Sequence, residues 1–110
     1  IHKVINYIRQ NYTEKITLDD VANVVYLSSS YLSRIFKEEM GCSFTYYVNT
    51  QRIEQSKDLL LNHTMSLADI ATLVGFSDQS YFSKVFGRIV GITPQQYRKN
   101  RGNISEEDKK

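Results

Sequence analysis

Three observations predict an all-α fold of two helix-turn-helix subdomains joined by a long linker helix. The 110 residues hold a single proline, and no alternating apolar–polar run with hairpin turn signals is present. A pattern of capping residues, apolar stripes and glycines occurs twice, about 50 residues apart. Between the two copies, Ser43 to Leu61 contains neither glycine nor proline. These boundaries divide the chain into a first subdomain at 1–42, a linker helix at 43–61 and a second subdomain at 62–99.

The first helix is expected from His2 to Asn11, where Val4, Ile5, Tyr7 and Ile8 recur at helical spacing. A polar loop, Tyr12 to Ile16, follows. Thr17-Leu-Asp-Asp20 reads as a capping box, with Thr17 and Asp20 each reaching the other's backbone N–H. Leu18, Val21, Ala22 and Val25 then supply the buried stripe of a short helix. Leu27-Ser28 marks the turn into a recognition helix at about 29–40, and Gly41 ends it.

The second copy repeats this order. Ser66-Leu-Ala-Asp69 predicts another capping box, and Leu67, Ile70, Ala71 and Val74 another stripe. Leu18, Asp20, Ala22, Val25 and Ser28 recur as Leu67, Asp69, Ala71, Val74 and Ser77. After one inserted residue, Ser30, Tyr31, Ser33, Phe36, Gly41 and Tyr47 recur as Ser80, Tyr81, Ser83, Phe86, Gly91 and Tyr97. Gly75 suits a tight turn, and Ser77 is the candidate N-cap of a recognition helix at about 78–90. Tyr81, Phe82, Val85, Phe86 and Ile89 are assigned to its buried arc. Gly91 closes it, and Thr93-Pro94 opens the last helix.

In the linker, Phe44, Tyr47, Val48, Ile53, Leu59 and Leu60 supply apolar contacts, whereas Asn49 to Gln55 is mostly polar. That predicts ends packed into two subdomains and a more exposed centre. At about 1.5 Å per residue such a helix spans nearly 30 Å. Major-groove faces on one side of B-DNA repeat every 34 Å or so, so a rigid spacer of this length could serve two successive grooves.

Composition narrows the function classes. The formal net charge is +2, so a nucleic-acid role must rest on where the charges sit. Cys42 is the only cysteine, which excludes an internal disulfide and fits a reducing cytoplasm. It reads as a packing residue at a helix boundary. No apolar run approaches the roughly 20 residues of a membrane span, so no membrane partner is expected. His2 and His63 are isolated and lack ligand spacing, so neither metal nor cofactor is expected. No phosphate cradle, nucleophile elbow or paired acidic motif occurs, and Asp20 and Asp69 are read as caps; an enzyme is not expected. The tyrosines and phenylalanines at helical spacing are assigned to the core. Starting at Ile1 and not Met, the chain is expected to be a piece of a longer protein. Residues 100–110 turn polar and read as a disordered tail.

From about Val4 to Lys99 the sequence resembles the C-terminal DNA-binding domain of AraC/XylS-type bacterial transcriptional regulators. The resemblance is carried by Leu32-Ser-Arg-Ile-Phe-Lys37, by Arg52 with Leu59-Leu60, and by Asp69-Ile-Ala, Val74-Gly-Phe-Ser and Ser80-Tyr-Phe-Ser-Lys-Val-Phe. Gly91-Ile-Thr-Pro-Gln-Gln-Tyr-Arg98 matches the family's most specific cluster. The resemblance implies two helix-turn-helix subdomains on a long helix, promoter or operator DNA as partner, and a sensor or receiver domain elsewhere in the chain. RNA polymerase is a further candidate partner. Three departures stand out: Tyr26 at the position of Gly75, Ser56 for a small apolar residue, and Gly87 where a basic residue is common.

Helix geometry nominates the contacts. Ser30, Ser33, Arg34 and Lys37 share one face of the first recognition helix, with Ser29 at its start. Gln79, Ser80, Ser83 and Lys84 form the matching group, and the resemblance points to the same positions. Arg34 has the planar fork that bonds guanine O6 and N7 together, and Lys37 suits phosphate. Gln79 can pair with adenine or serve the backbone. A single basic residue on a helix is ordinarily a solvated charge, but Arg34 and Lys84 occupy matched repeat positions. The residues also permit a helical protein-interaction module, in view of Glu38, Glu39, the small net charge and Gly87.

Overall fold

The computed structural model of the chain describes residues 1–62 and 64–100. Among the described residues the structure is all-α, in the order α1 (His2–Asn11), α2 (Leu18–Val24), α3 (Ser29–Met40), α4 (Phe44–Leu60), α5 (Leu67–Val74), α6 (Gln79–Val90) and α7 (Pro94–Lys99). Two compact units result, Ile1–Gln51 and a second from Arg52 onward, with the division inside α4. Both His63 and the segment 101–110, read above as most of a disordered tail, lie outside the described residues; Asn100 is the C-cap of α7. No helix among the described residues is long and apolar enough to cross a membrane.

In the first unit the capping box forms as the sequence requires. Asp20 N–H donates to Thr17 Oγ1 and Thr17 N–H to Asp20 Oδ2, each at 3.1 Å. With its N-terminal donors satisfied, α2 can turn Val21 and Ala22 onto α1 and α3, where Val4, Ile8, Leu32 and Phe36 complete a dry core. Ser28 caps α3 by accepting from Tyr31 N–H at 3.2 Å. Gly41 stops it in the left-handed conformation, φ 76°, a region that costs other residues strain.

The second unit repeats this on α5, α6 and α7. Its core runs from Ile53 and Leu60 of α4 to Phe82, Phe86 and Tyr97. The duplication extends to ring geometry. Phe36 meets Tyr47 edge-on at 5.6 Å and 73°, and the repeat pair Phe86 and Tyr97 meets at 5.6 Å and 74°. Thr93 and Gln96 form a full capping box over Pro94, the first residue of α7.

Several expectations are corrected. The N-cap of α6 is Asp78, whose Oδ1 accepts from Tyr81 N–H at 2.7 Å; Ser77 is the residue inserted into the second turn. A carboxylate at that position also favours the positive end of the helix dipole. At Ser66 only the forward arm of the box forms, from Asp69 N–H at 3.0 Å, so Asp69 does not cap through its carboxylate as Asp20 does. The centre of α4 is less exposed than its polarity suggested: Asn49 is almost fully buried and Thr50, Gln51 and Arg52 are half-buried, while Ile53 is buried as expected and Ser56, just beyond the centre, is fully buried. Ser56 substitutes for an apolar residue without leaving a stranded hydroxyl, because its Oγ–H donates to Ile53 C=O of the same helix at 2.7 Å. All five phenylalanines are buried, as expected, but Tyr26, Tyr31, Tyr46 and Tyr81 are exposed. A tyrosine tolerates the surface because its hydroxyl stays hydrated.

The turns after α2 and α5 are the same despite their different residues. Leu27 N–H donates to Ala22 C=O at 3.0 Å, and Phe76 N–H to Ala71 C=O at 2.9 Å, the long bond of a Schellman motif in both. Tyr26 reaches that geometry at φ 60° where the second copy has Gly75 at φ 107°. For an L-residue with a Cβ the left-handed conformation costs roughly 1–2 kcal/mol.

Candidate nucleic-acid interface

Helix α3 separates its side chains by chemistry. Successive residues are offset by about 100°, which gathers Ser30, Ser33, Arg34 and Lys37 on one exposed arc and Leu32 and Phe36 on the buried one. Ser29 lies between the two arcs and is half-buried, and its hydroxyl donates to Asp19 of α2. That bond ties the first turn of α3 to α2 and takes up the Ser29 proton.

Arg34 does not pair with Glu38 one turn further on. Its guanidinium lies over the ring of Tyr31, 5.3 Å from the centroid. The two residues, with Ser28 and Ser30, line an open hollow of about 380 Å³ at the N-terminal half of α3. An exposed cation–π contact contributes about 0.5–1 kcal/mol. It orders the guanidinium at the surface yet is weaker than a bidentate base contact, so a ligand can draw Arg34 off the ring.

Helix α6 shows the same division. Gln79, Ser80 and Lys84 are exposed, Ser83 is half-buried, and Phe82, Val85 and Phe86 face the core. Tyr81, assigned above to the buried arc, instead sits at the margin at 42% exposure, its ring edge-on to Phe76 at 5.8 Å. Each unit therefore brings its own candidate set together: Ser29, Ser30, Ser33, Arg34 and Lys37 on α3, and Gln79, Ser80, Ser83 and Lys84 on α6.

Among the described residues there is no group of three or more His, Cys, Asp or Glu side chains able to hold a metal. Cys42 is a half-buried free thiol between α3 and α4.

A family profile described as a helix-turn-helix domain matches residues 21–100. The C-terminal domain of AraT, a response regulator from Geobacillus stearothermophilus, superposes with TM-score 0.86 at 37% identity, covering 96% of this chain and 87% of that one. A transcriptional regulator from Chromobacterium violaceum, described as AraC-type, superposes with TM-score 0.80 at 27% identity over 93% of this chain and 91% of that one. The chain belongs to the AraC/XylS-type helix-turn-helix family. It is an AraC-type DNA-binding domain of the kind that transcriptional regulators carry. Regulatory protein PocR of Salmonella typhimurium is 43% identical over 96 residues, which is 87% of this chain and 32% of PocR. The chain spans about a third of the length of some of the curated relatives it matches and 13–14% of others.

Within this AraC-type domain, two arginines that carried the resemblance without an assigned role now have one. Arg98 donates from Nε to Leu60 C=O at 2.9 Å and from Nη2 to Asn62 C=O at 3.3 Å. It closes the C-terminal end of α4, where carbonyls lack partners and a cation is favoured. Arg52 lies over Phe76, 5.6 Å from the centroid. Burial pulls its guanidinium below the ordinary arginine value, and interaction with Tyr81 partly offsets that. The Arg52, Phe76 and Tyr81 stack braces the first turn of α6. Neither role has a local sequence signal, because the partners lie 24 to 38 residues away.

The two faces differ at one matched position, Lys37 in α3 and Gly87 in α6. A Cβ built on Gly87 meets nothing within 4 Å. Gly87→Lys is therefore expected to stabilise α6 by about 0.5–1 kcal/mol, the usual penalty of a mid-helix glycine. It should also steepen the dependence of log K for duplex DNA on log salt by about one unit. Thermal melting and a salt titration beside the parent chain check both expectations.

Proposed function

We propose that this domain binds double-stranded promoter DNA sequence-specifically, laying α3 and α6 in successive major grooves. The observation that carries this reading is the matched pair Arg34 and Lys84. Both stand on the exposed arc of an N-capped helix, at the same repeat position, beside serines small enough to let a groove wall approach. Arg34 reads guanine through its fork and Lys84 contacts guanine from the matched position, while Lys37 neutralises phosphate. Gln79 reads adenine or holds the backbone; Ser30, Ser33 and Ser80 supply short hydrogen bonds, as Ser83 does from the margin of its face, and Ser29, its proton held by Asp19, contributes as an acceptor. As part of a longer regulator, the domain would be joined to a sensor or receiver domain, work in the cytoplasm and present its bound promoter to RNA polymerase.

The test is equilibrium binding to a mixed-sequence duplex across a salt series. Phosphate neutralisation by several cations predicts affinity falling by orders of magnitude between about 50 and 200 mM salt. A chain that shows no salt-sensitive binding to any duplex would contradict the reading and favour a protein-interaction role.

A further inference from the structure

Tyr26 is the most exposed of the large apolar side chains, at 94%, and it stands in a left-handed turn at φ 60°. Its side chain makes no hydrogen bond, ion pair or ring contact among the described residues. Packing therefore does not account for a tyrosine there. Nor does the turn, because the second copy builds the same Schellman bond with Gly75, the residue suited to that conformation. Strain of this kind persists where a side chain serves something other than the fold.

Its location indicates what that is. Tyr26 precedes the N-cap Ser28 by two residues, a span of at most about 7 Å. Ser28 lines the hollow that also holds Ser30, Tyr31 and Arg34. A recognition helix enters the major groove with its N-terminal residues toward the bases. A long side chain just ahead of that end stands at the groove's rim, where the phosphates are. Tyrosine is among the side chains that hydrogen-bond phosphate oxygens and fix the register of a protein on its duplex.

We propose that the Tyr26 hydroxyl donates to a phosphodiester oxygen flanking the base pairs read by α3, an anchor that the second copy lacks. This rests on the DNA reading above. The contact is neutral on the protein side, so it adds affinity without releasing a counterion and without reading sequence.

The experiment compares the parent chain with Tyr26→Phe and Tyr26→Gly on a duplex selected by the parent and on an unrelated duplex. Both variants are expected to bind each duplex roughly ten- to 150-fold more weakly, the scale of one hydrogen bond to a charged acceptor. The ratio between duplexes and the salt slope should stay at the parent values. Tyr26→Gly should melt at or above the parent temperature, since glycine relieves the strain, which separates lost binding from lost folding. Parental affinity in either variant would overturn the proposal, as would a changed salt slope. If the parent itself binds no duplex at any salt, the DNA reading falls first.

Discussion

Phe86→Ala is expected to destabilise the second unit by about 3–5 kcal/mol, the range for truncating a buried aromatic. Phe86 is fully buried and sits at 5.8 Å from Phe82 and 5.6 Å from Tyr97. Truncation removes one ring from a contiguous aromatic row, and neighbours on three short helices cannot all collapse into the gap. Such a loss is a large part of the 5–15 kcal/mol that holds a typical domain folded. Phe36→Ala should do the same to the first unit, where the same edge-on pairing with Tyr47 recurs and Phe44 adds a second ring at 6.0 Å. Amide exchange checks this: each substitution should strip protection first from the helices of its own unit.

Arg34→Ala is expected to weaken binding to the selected site by roughly five- to 150-fold, the equivalent of about 1–3 kcal/mol for a bidentate guanine contact. The loss should exceed the loss on unrelated DNA, so the specificity ratio falls with the affinity. Stability should barely move, because Arg34 is exposed and gives up only its stack on Tyr31. Arg34→Lys keeps the charge and loses the fork, so non-specific affinity should be retained while discrimination at one base pair relaxes. Electrophoretic or fluorescence titrations against single-base variants of the site resolve the two cases. Equal losses on every duplex would instead make Arg34 a phosphate contact.

Much of this architecture was legible in the residues because its signals are local. The box at Thr17 and Asp20, the glycine stop at Gly41 and the Thr93-Pro94 start each act within one helical turn. The repeat exposed the duplication, and helical periodicity separated Arg34 and Lys84 from Leu32 and Phe82. Features that depend on the third dimension were missed or misplaced. Ser77 and Asp78 are both good caps, and only the path of the turn decides between them. Asn49 and Gln51 look like solvent-facing polar residues, but α4 serves two cores and has no single apolar stripe to reveal which sides are covered. Arg52 and Arg98 reach partners far along the chain. Tyrosine is ambiguous by nature: Tyr97 is buried and Tyr26 almost wholly exposed, and composition treats them alike.

The most direct test of two matched reading helices is selection from a random duplex pool, performed with the parent chain, Arg34→Ala and Lys84→Ala. Two short enriched blocks about one helical turn apart are expected, the first degraded by Arg34→Ala and the second by Lys84→Ala. A single enriched block, or two blocks degraded together by either substitution, would contradict independent reading by α3 and α6.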